Sequence, residues 1–312
     1  MLAWASSIVV GIILLVVFGD KLSDKIVEVA EKAGVSPPLV ISLVVISLAT
    51  TLPEITTSAM ASITGSEGIA LGNALGSIFA NIALILGLAS VIRPLEAGSG
   101  AYENSLVMLA SLGFLMLLSV DGTLSRLDGA LLLGAYALYL RWLYRKHFRK
   151  GRESGAERHT KATVLDYVLL LIYGGLMVIG ARLVVYGGRN IAEALGVAEY
   201  VIGATIVAIG TSLPEMTNAL YGAVRERGSI SVGNIIGANI MNALVVLGLA
   251  SLIRPIPTGA STLTIVLVLM TMLPMIAELK RSGGLDRRIG VYFLILYAVY
   301  LVLLFSGGQS SS

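Results

Sequence analysis

Residues 50–54 read TTLPE and residues 211–215 read TSLPE, each inside a segment otherwise made of Ile, Leu, Val, Ala, Ser and Thr. Proline and a carboxylate are both costly in such surroundings. Pro53 lacks an N–H, and its ring collides with the carbonyl four residues back. An ionised Glu54 at membrane depth costs about 3 kcal/mol or more. A costly pair that occurs twice needs a use, and the spacing of the two copies decides the fold.

The surroundings are those of a membrane protein. The 312 residues are 56% hydrophobic and 13% charged, against about 25% charged in soluble domains. The stretches 1–18, 39–53, 69–92, 104–119 and 164–181 hold no Lys or Arg, and about 20 apolar residues cross a bilayer core. The fold class expected is an all-α integral membrane protein. With no Cys, disulfide and thiolate chemistry are excluded. The start, MLAWASSIVVGIILLVVFGD, lacks the basic region of a cleaved signal peptide and reads as a first spanning helix. The tail at 307–312 reads as a flexible end.

Apolar runs mark ten transmembrane helices, near 2–19, 39–64, 69–92, 103–119, 127–144, 164–187, 200–224, 229–252, 261–277 and 288–306. The longest polar connection, 145–161, is basic: Arg145, Lys146, Arg149, Lys150, Arg152, Arg158 and Lys161. The positive-inside rule places it in the cytoplasm. Inward segments then carry 17 Lys and Arg against 4 outside, with Arg141 left at the end of span five. Both termini are expected to be extracytoplasmic, in a multi-pass protein of the plasma membrane. The basic loop reads as a topology signal, so no nucleic-acid partner is expected; the oligomeric state is left open, a monomer being plausible.

Aligning 40–95 with 201–256 at a constant offset of 161, without a gap, makes 20 of 56 positions identical. They include Thr50/Thr211, Pro53/Pro214, Glu54/Glu215, Gly72/Gly233, Asn73/Asn234, Gly76/Gly237, Asn81/Asn242 and Arg93/Arg254. The chain is therefore a duplication: a first five-helix repeat at 1–144, a linker at 145–163 and a second repeat at 164–306. Five spans separate equivalent points, and five is odd, so the repeats lie in the bilayer upside down relative to each other. Inverted repeats with interrupted helices and a midplane site are the architecture of secondary transporters.

The prolines loosen backbone carbonyls around Ser47 to Thr50 and at the equivalent place in span seven. Non-helical backbone survives at membrane depth only against protein or a wet cavity. A bound cation would satisfy the carboxylate, the loosened carbonyls and the hydroxyls of Thr50 and Thr51 together, and Thr211, Ser212 and Glu215 repeat the device. At 1.5 Å per residue, Glu54 lies roughly 22 Å along span two and Asn81 roughly 18 Å along the oppositely directed span three. Both land near the middle. Ser77 shares a helix face with Asn81; Asn242 has the equivalent place in span eight, where Ala238 replaces the hydroxyl. Two carboxylates, two amides and several hydroxyls are hard oxygen ligands, suited to Ca²⁺ or Na⁺ rather than zinc or copper. The Gly72/Gly76 and Gly233/Gly237 spacings read as close helix packing.

The paired motifs T-[ST]-L-P-E and G-N-x-x-G-x-x-x-x-N resemble the α-repeats of the cation/Ca²⁺ antiporter superfamily, in particular its archaeal and bacterial Na⁺/Ca²⁺ exchangers. The resemblance covers essentially the whole chain. It implies Ca²⁺ ligation by Glu54 and Glu215 with the carbonyls of Thr50 and Thr211. It implies Na⁺ sites from Ser47 (backbone), Thr50, Thr51 and Ser77 on one side, and Ala208 (backbone), Thr211 and Ser212 on the other. Asn81 and Asn242 would flank the centre, and the first and sixth helices would slide across the bundle. The transported ions would be Ca²⁺ and Na⁺, several Na⁺ per Ca²⁺, with no cofactor. Three positions depart from the pattern: Thr51 adds a methyl, Ala238 lacks a hydroxyl, and Asn242 stands where some relatives carry Asp. The expected function is secondary antiport of Ca²⁺ against Na⁺ by alternating access. The alternatives are H⁺/Ca²⁺ exchange on the same fold and a passive cation channel. An intramembrane enzyme lacks parts, since no span holds Cys, His or an HExxH motif.

Overall fold

The computed structural model describes residues 1–32, 40–98, 100–148, 163–225 and 228–307. Most of the basic linker and the tail at 308–312 lie outside the described residues, as does the Ser47 side chain. The helices are α1 (Leu2–Lys32), α2 (Val40–Thr64), α3 (Glu67–Ile92), α4 (Ala101–Leu118), α5 (Arg126–Phe148), α6 (Val164–Leu195), α7 (Glu199–Thr211), α8 (Leu213–Val224), α9 (Gly228–Ile253), α10 (Thr262–Ser282) and α11 (Arg287–Gly307). Seven helical stretches among the described residues are long and apolar enough to cross a membrane.

Burial sorts the bundle into an inside and an outside. In the apolar windows of α3 and α9, 78% of residues are buried, against 22% in α1 and 28% in α6. The two G-N-x-x-G helices are therefore the centre, and α1 and α6 lie toward the outside of the bundle. Close approach at the centre depends on missing side chains. A Cβ on Gly72 would meet the Tyr200 carbonyl, and one on Gly76 would meet the Ala204 backbone. The packing role expected of these glycines holds, with α7 as the partner.

Helices α1 and α6 pack along each other in opposite directions. Gly187 faces Trp4 and Ile8, Gly180 faces Gly11, and Asp166 meets Lys25. Helix α1 outruns its expected end at residue 19 with extra turns held by polar side chains, and α6 outruns residue 187 to Leu195, where Arg189 pairs with Glu199 and left-handed Gly196 closes the helix. Lys32 Nζ lies 2.8 Å from Asp166 Oδ2 and 2.7 Å from Glu28 Oε1, and Lys25 also pairs with Glu28. Asp166 caps α6 reciprocally with Thr163. The Glu28 carboxyl is held below its ordinary range, chiefly by its bond to Lys25. Lys32 is held above its range chiefly by Asp166, and Lys25 chiefly by Glu28.

Two small antiparallel ladders join the loops. Strand β1 (Leu95–Glu96) pairs with β4 (Gly284–Leu285), and β2 (Thr123–Leu124) pairs with β3 (Ile256–Pro257). The offset of 161 carries Leu95 onto Ile256 and residues 123–124 onto 284–285. Each ladder is thus the counterpart of the other, and each ties one repeat to the other.

The interruption expected at both prolines occurs at only one. Helix α2 continues through Pro53, whereas the second copy breaks at Ser212 (φ −83°, ψ 11°) and restarts as α8. Pro214 sits in the first turn of the new helix, where a missing N–H costs no ladder bond. Gly210 precedes this break where the first copy has Ala49, and glycine weakens a helix by about 1 kcal/mol relative to alanine. Packing also favours the glycine, because a Cβ there would force the Ile12 side chain of α1 to move. Turns of π-helix fall at Ala80–Leu86, Gly203–Val207 and Asn242–Val246.

Candidate cation-binding site

Glu54 on α2 and Glu215 on α8 are both fully buried. They are close enough for their charges to interact, and Thr50 and Thr51 lie beside Glu215. Among the described residues no three His, Asp or Glu side chains gather anywhere, so the charge of the site is set by this pair.

On the Glu54 side the polar groups are already bonded to one another. Ser212 Oγ, at the helix break, donates to Glu54 Oε1 at 2.9 Å and lies 3.1 Å from Ser77 Oγ. Thr211 Oγ1 donates to Asn73 Oδ1 at 2.9 Å. Asn73 Nδ2 in turn reaches Ser58 Oγ at 2.9 Å and the Glu54 carbonyl at 3.3 Å. Asn73 thereby clamps α2 to the end of α7. The Ala208 carbonyl accepts the Ser212 N–H at 3.1 Å and lies 3.3 Å from Thr211 Oγ1.

The offset of 161 maps these contacts onto Thr51 with Glu215, Thr51 with Ala238, and Thr50 with Asn234. None is a hydrogen bond. Thr51 Oγ1, both Glu215 oxygens and both amide atoms of Asn234 are buried without a partner. Glu54 Oε2, Asn81 Oδ1 and both amide atoms of Asn242 are in the same condition. A buried polar atom without a partner costs about 1–3 kcal/mol. So many partnerless oxygens on the expected ligand residues fit a hard cation, which takes 6–8 oxygens when it is Ca²⁺.

The expected residues thus fall into neighbouring groups, the first joined by hydrogen bonds. Glu54, Ser77, Thr211 and Ser212 form one group, and Glu215 with Thr50 and Thr51 forms another. Asn81 is bonded to neither, since its Nδ2 donates to Asn239 Oδ1 at 2.9 Å. Ser47 enters only through its place in α2. Sequence reading did not include Asn73, Ser58, Asn234 or Asn239 among the site residues. Asn73 and Asn234 were visible as repeat identities, but they adjoin the packing glycines. Asn239 corresponds to Ile78, so repeat matching could not expose it.

A family model described as "Sodium/calcium exchanger protein" matches residues 4–145 and 165–306. A chain described as an uncharacterized membrane protein of Methanocaldococcus jannaschii is 36% identical over 86% of this chain and 87% of its own. Inner membrane protein YrbG of Escherichia coli is 34% identical over 98% of both chains. Among solved structures, the sodium-calcium exchanger NCX_Mj soaked with Na⁺ and Sr²⁺ superposes with a TM-score of 0.67. It is 33% identical, over 96% of this chain and 98% of that one.

Proposed function

The chain belongs to the sodium/calcium exchanger protein family, and we propose that it exchanges Ca²⁺ for Na⁺ across the plasma membrane through the site between Glu54 and Glu215. The observation that carries this reading is the burial of two carboxylates, three of whose four oxygens have no partner. Two negative charges balance one divalent ion, and a carboxylate isolated in hydrocarbon costs about 3 kcal/mol or more. The loaded site is therefore neutral enough to cross between faces, whereas the empty one is penalised. Exchange follows because Ca²⁺ and Na⁺ draw on the same carboxylates.

In this reading Ca²⁺ takes Glu54, Glu215 and the carbonyls of Thr50 and Thr211, flanked by Asn81 and Asn242. One Na⁺ site uses Ser77, Thr211, Ser212 and the Ala208 carbonyl; a second uses Thr50, Thr51 and the Ser47 carbonyl. Regrouping Ser77 with Thr211 and Ser212 follows the Ser77–Ser212 contact. Ten crossings form two inverted repeats, with the 145–161 loop inside and both termini outside. The antiparallel, lipid-facing α1 and α6 slide as a pair to alternate access. The matching β1–β4 and β2–β3 ladders and the opposed α1 and α6 support the inversion.

The test is Ca²⁺ uptake into proteoliposomes loaded with Na⁺ and diluted into Na⁺-free buffer, beside K⁺-loaded and pH-gradient controls and Glu54→Gln. Uptake that needs internal Na⁺ and vanishes in the variant is the expected result. Buried carboxylates without partners can also be neutralised by protons. Uptake driven equally by an outward proton gradient without Na⁺ would make the protein an H⁺/Ca²⁺ exchanger.

A further inference from the structure

Asn239 stands where the two repeats touch. The offset of 161 pairs it with Ile78, and its Nδ2 donates to the Ile78 carbonyl at 3.3 Å. The internal two-fold therefore passes between equivalent residues that differ in chemistry. The other end of the Asn239 amide, Oδ1, accepts from Asn81 Nδ2 at 2.9 Å. Asn239 is buried at 1% exposure.

A primary amide has a donor end and an acceptor end of nearly equal size. Which end faces a cation decides between attraction and repulsion. The polarity here is set by a group that cannot reverse: the Ile78 carbonyl only accepts, so Asn239 must turn Nδ2 toward it. Its Oδ1 must then face Asn81, which answers with Nδ2 and turns its own Oδ1 away. That Oδ1 is the buried acceptor left without a partner. Flipping either amide would oppose two donors or two acceptors. On the opposite side Ile78 offers no amide, and both ends of Asn242 are bare.

We propose that Asn239 is a positioning residue for ion exchange: anchored on the Ile78 carbonyl, it holds Asn81 as an oxygen ligand, a service Asn242 does not receive. The two central amides are therefore unequal. Asn81 presents its oxygen before any ion arrives, and Asn242 turns only when one does. The inference rests on the reading of this site as a cation site.

The experiment is the Ca²⁺ dissociation constant of the detergent-solubilised full chain, measured by the Ca²⁺-dependent rise in unfolding temperature. It is run for wild type, Glu54→Gln, Asn239→Ile and Asn239→Ala, and for each Asn239 substitution in an Asn81→Asp background. Outer-shell partners of ion ligands typically govern about 10- to 100-fold in affinity. Asn239→Ile should weaken Ca²⁺ by about tenfold beside Asn81 and cause no weakening beside Asn81→Asp, because a carboxylate has oxygen at both ends and loses only an opposed acceptor when Asn239 is removed. Asn239→Ala should repeat the pattern if the larger side chain disturbs folding. Equal weakening in both backgrounds would make Asn239 a packing residue and overturn the inference, as would no weakening at all. A wild type that gains no stability from Ca²⁺ would overturn the cation-site reading and the inference with it. Ca²⁺ binding lost in Glu54→Gln but kept in both Asn239 variants would overturn the inference alone.

Discussion

Around Glu54, Ser212 and Ser77 bring a chain of hydroxyls onto the carboxylate; around Glu215, Thr51 and Ala238 leave both oxygens bare. The two arrangements descend from one duplicated motif and are related position by position through the offset of 161. The hydroxyl of Ser77 has no counterpart at Ala238, and Asn73 is fully engaged while Asn234 is not. In the proposed exchange, a cation entering the Glu54 side would meet groups already held in place and would compete with their hydrogen bonds. On the Glu215 side, Thr51 Oγ1 and both Glu215 oxygens have no hydrogen bond to give up. Duplication kept the motif, and single side chains, together with a helix break that only the second copy carries, made the two halves chemically different.

The carboxylates are the feature the halves share, and their loss should have the largest effect. Glu54→Gln and Glu215→Gln should each cut Na⁺-driven Ca²⁺ uptake by about a hundredfold, the size of a charge-assisted contact of about 3 kcal/mol. If one of them transports normally in proteoliposomes, the halves are not partners in one site. The hydroxyls should divide unequally. Ser212→Ala removes a bonded group and should raise the Na⁺ concentration for half-maximal exchange about tenfold, whereas Thr51→Ala, which breaks no hydrogen bond, should raise it only about twofold. Equal shifts in a Na⁺ titration would mean that the two sides hold Na⁺ alike.

Ala238→Ser gives the Glu215 side the hydroxyl that Ser77 supplies opposite. It should lower half-activating Na⁺ about threefold, as expected of a hydrogen-bond-sized gain near 1 kcal/mol or less. An unchanged titration would mean that Thr51 alone completes that side. The smallest effect is expected far from the centre, at the polar end of α1 and α6. Asp166→Asn should lower the unfolding temperature slightly, and less at high salt, because Lys25 and Lys32 are partly solvated. Glu28 is held below its ordinary range, so its share of stability is present at neutral pH and fades as the pH falls through its lowered pKa. The shares of Lys25 and Lys32, both raised, persist until the pH climbs past theirs. Unfolding temperatures across pH at low and high salt would check both signs.

Legibility followed the kind of physics involved. TTLPE and TSLPE were readable because a carboxylate and a proline in an apolar run are expensive wherever the chain goes. The packing glycines were readable because helical spacing alone puts Gly72 and Gly76 on one face. The helix break was read at both prolines and occurs at one, since a proline is compatible both with a helix that continues and with one that restarts. Neighbours decided between them: Ala49 in one copy, Gly210 under Ile12 in the other. Asn239 was invisible because its value lies in a bond to Ile78 and another to Asn81, both about 160 residues away in sequence.

The sequence by itself determined that this is a membrane-embedded helical duplication with a buried acidic pair, because hydropathy, repeat offset and the cost of buried charge are properties of composition and order. Only the tertiary structure decided which hydroxyls are spent on neighbours, which oxygens stay bare, and which way the Asn81 amide points. Those depend on distances of about 3 Å between helices, and hydrogen bonds at that range are set by packing that no local pattern records.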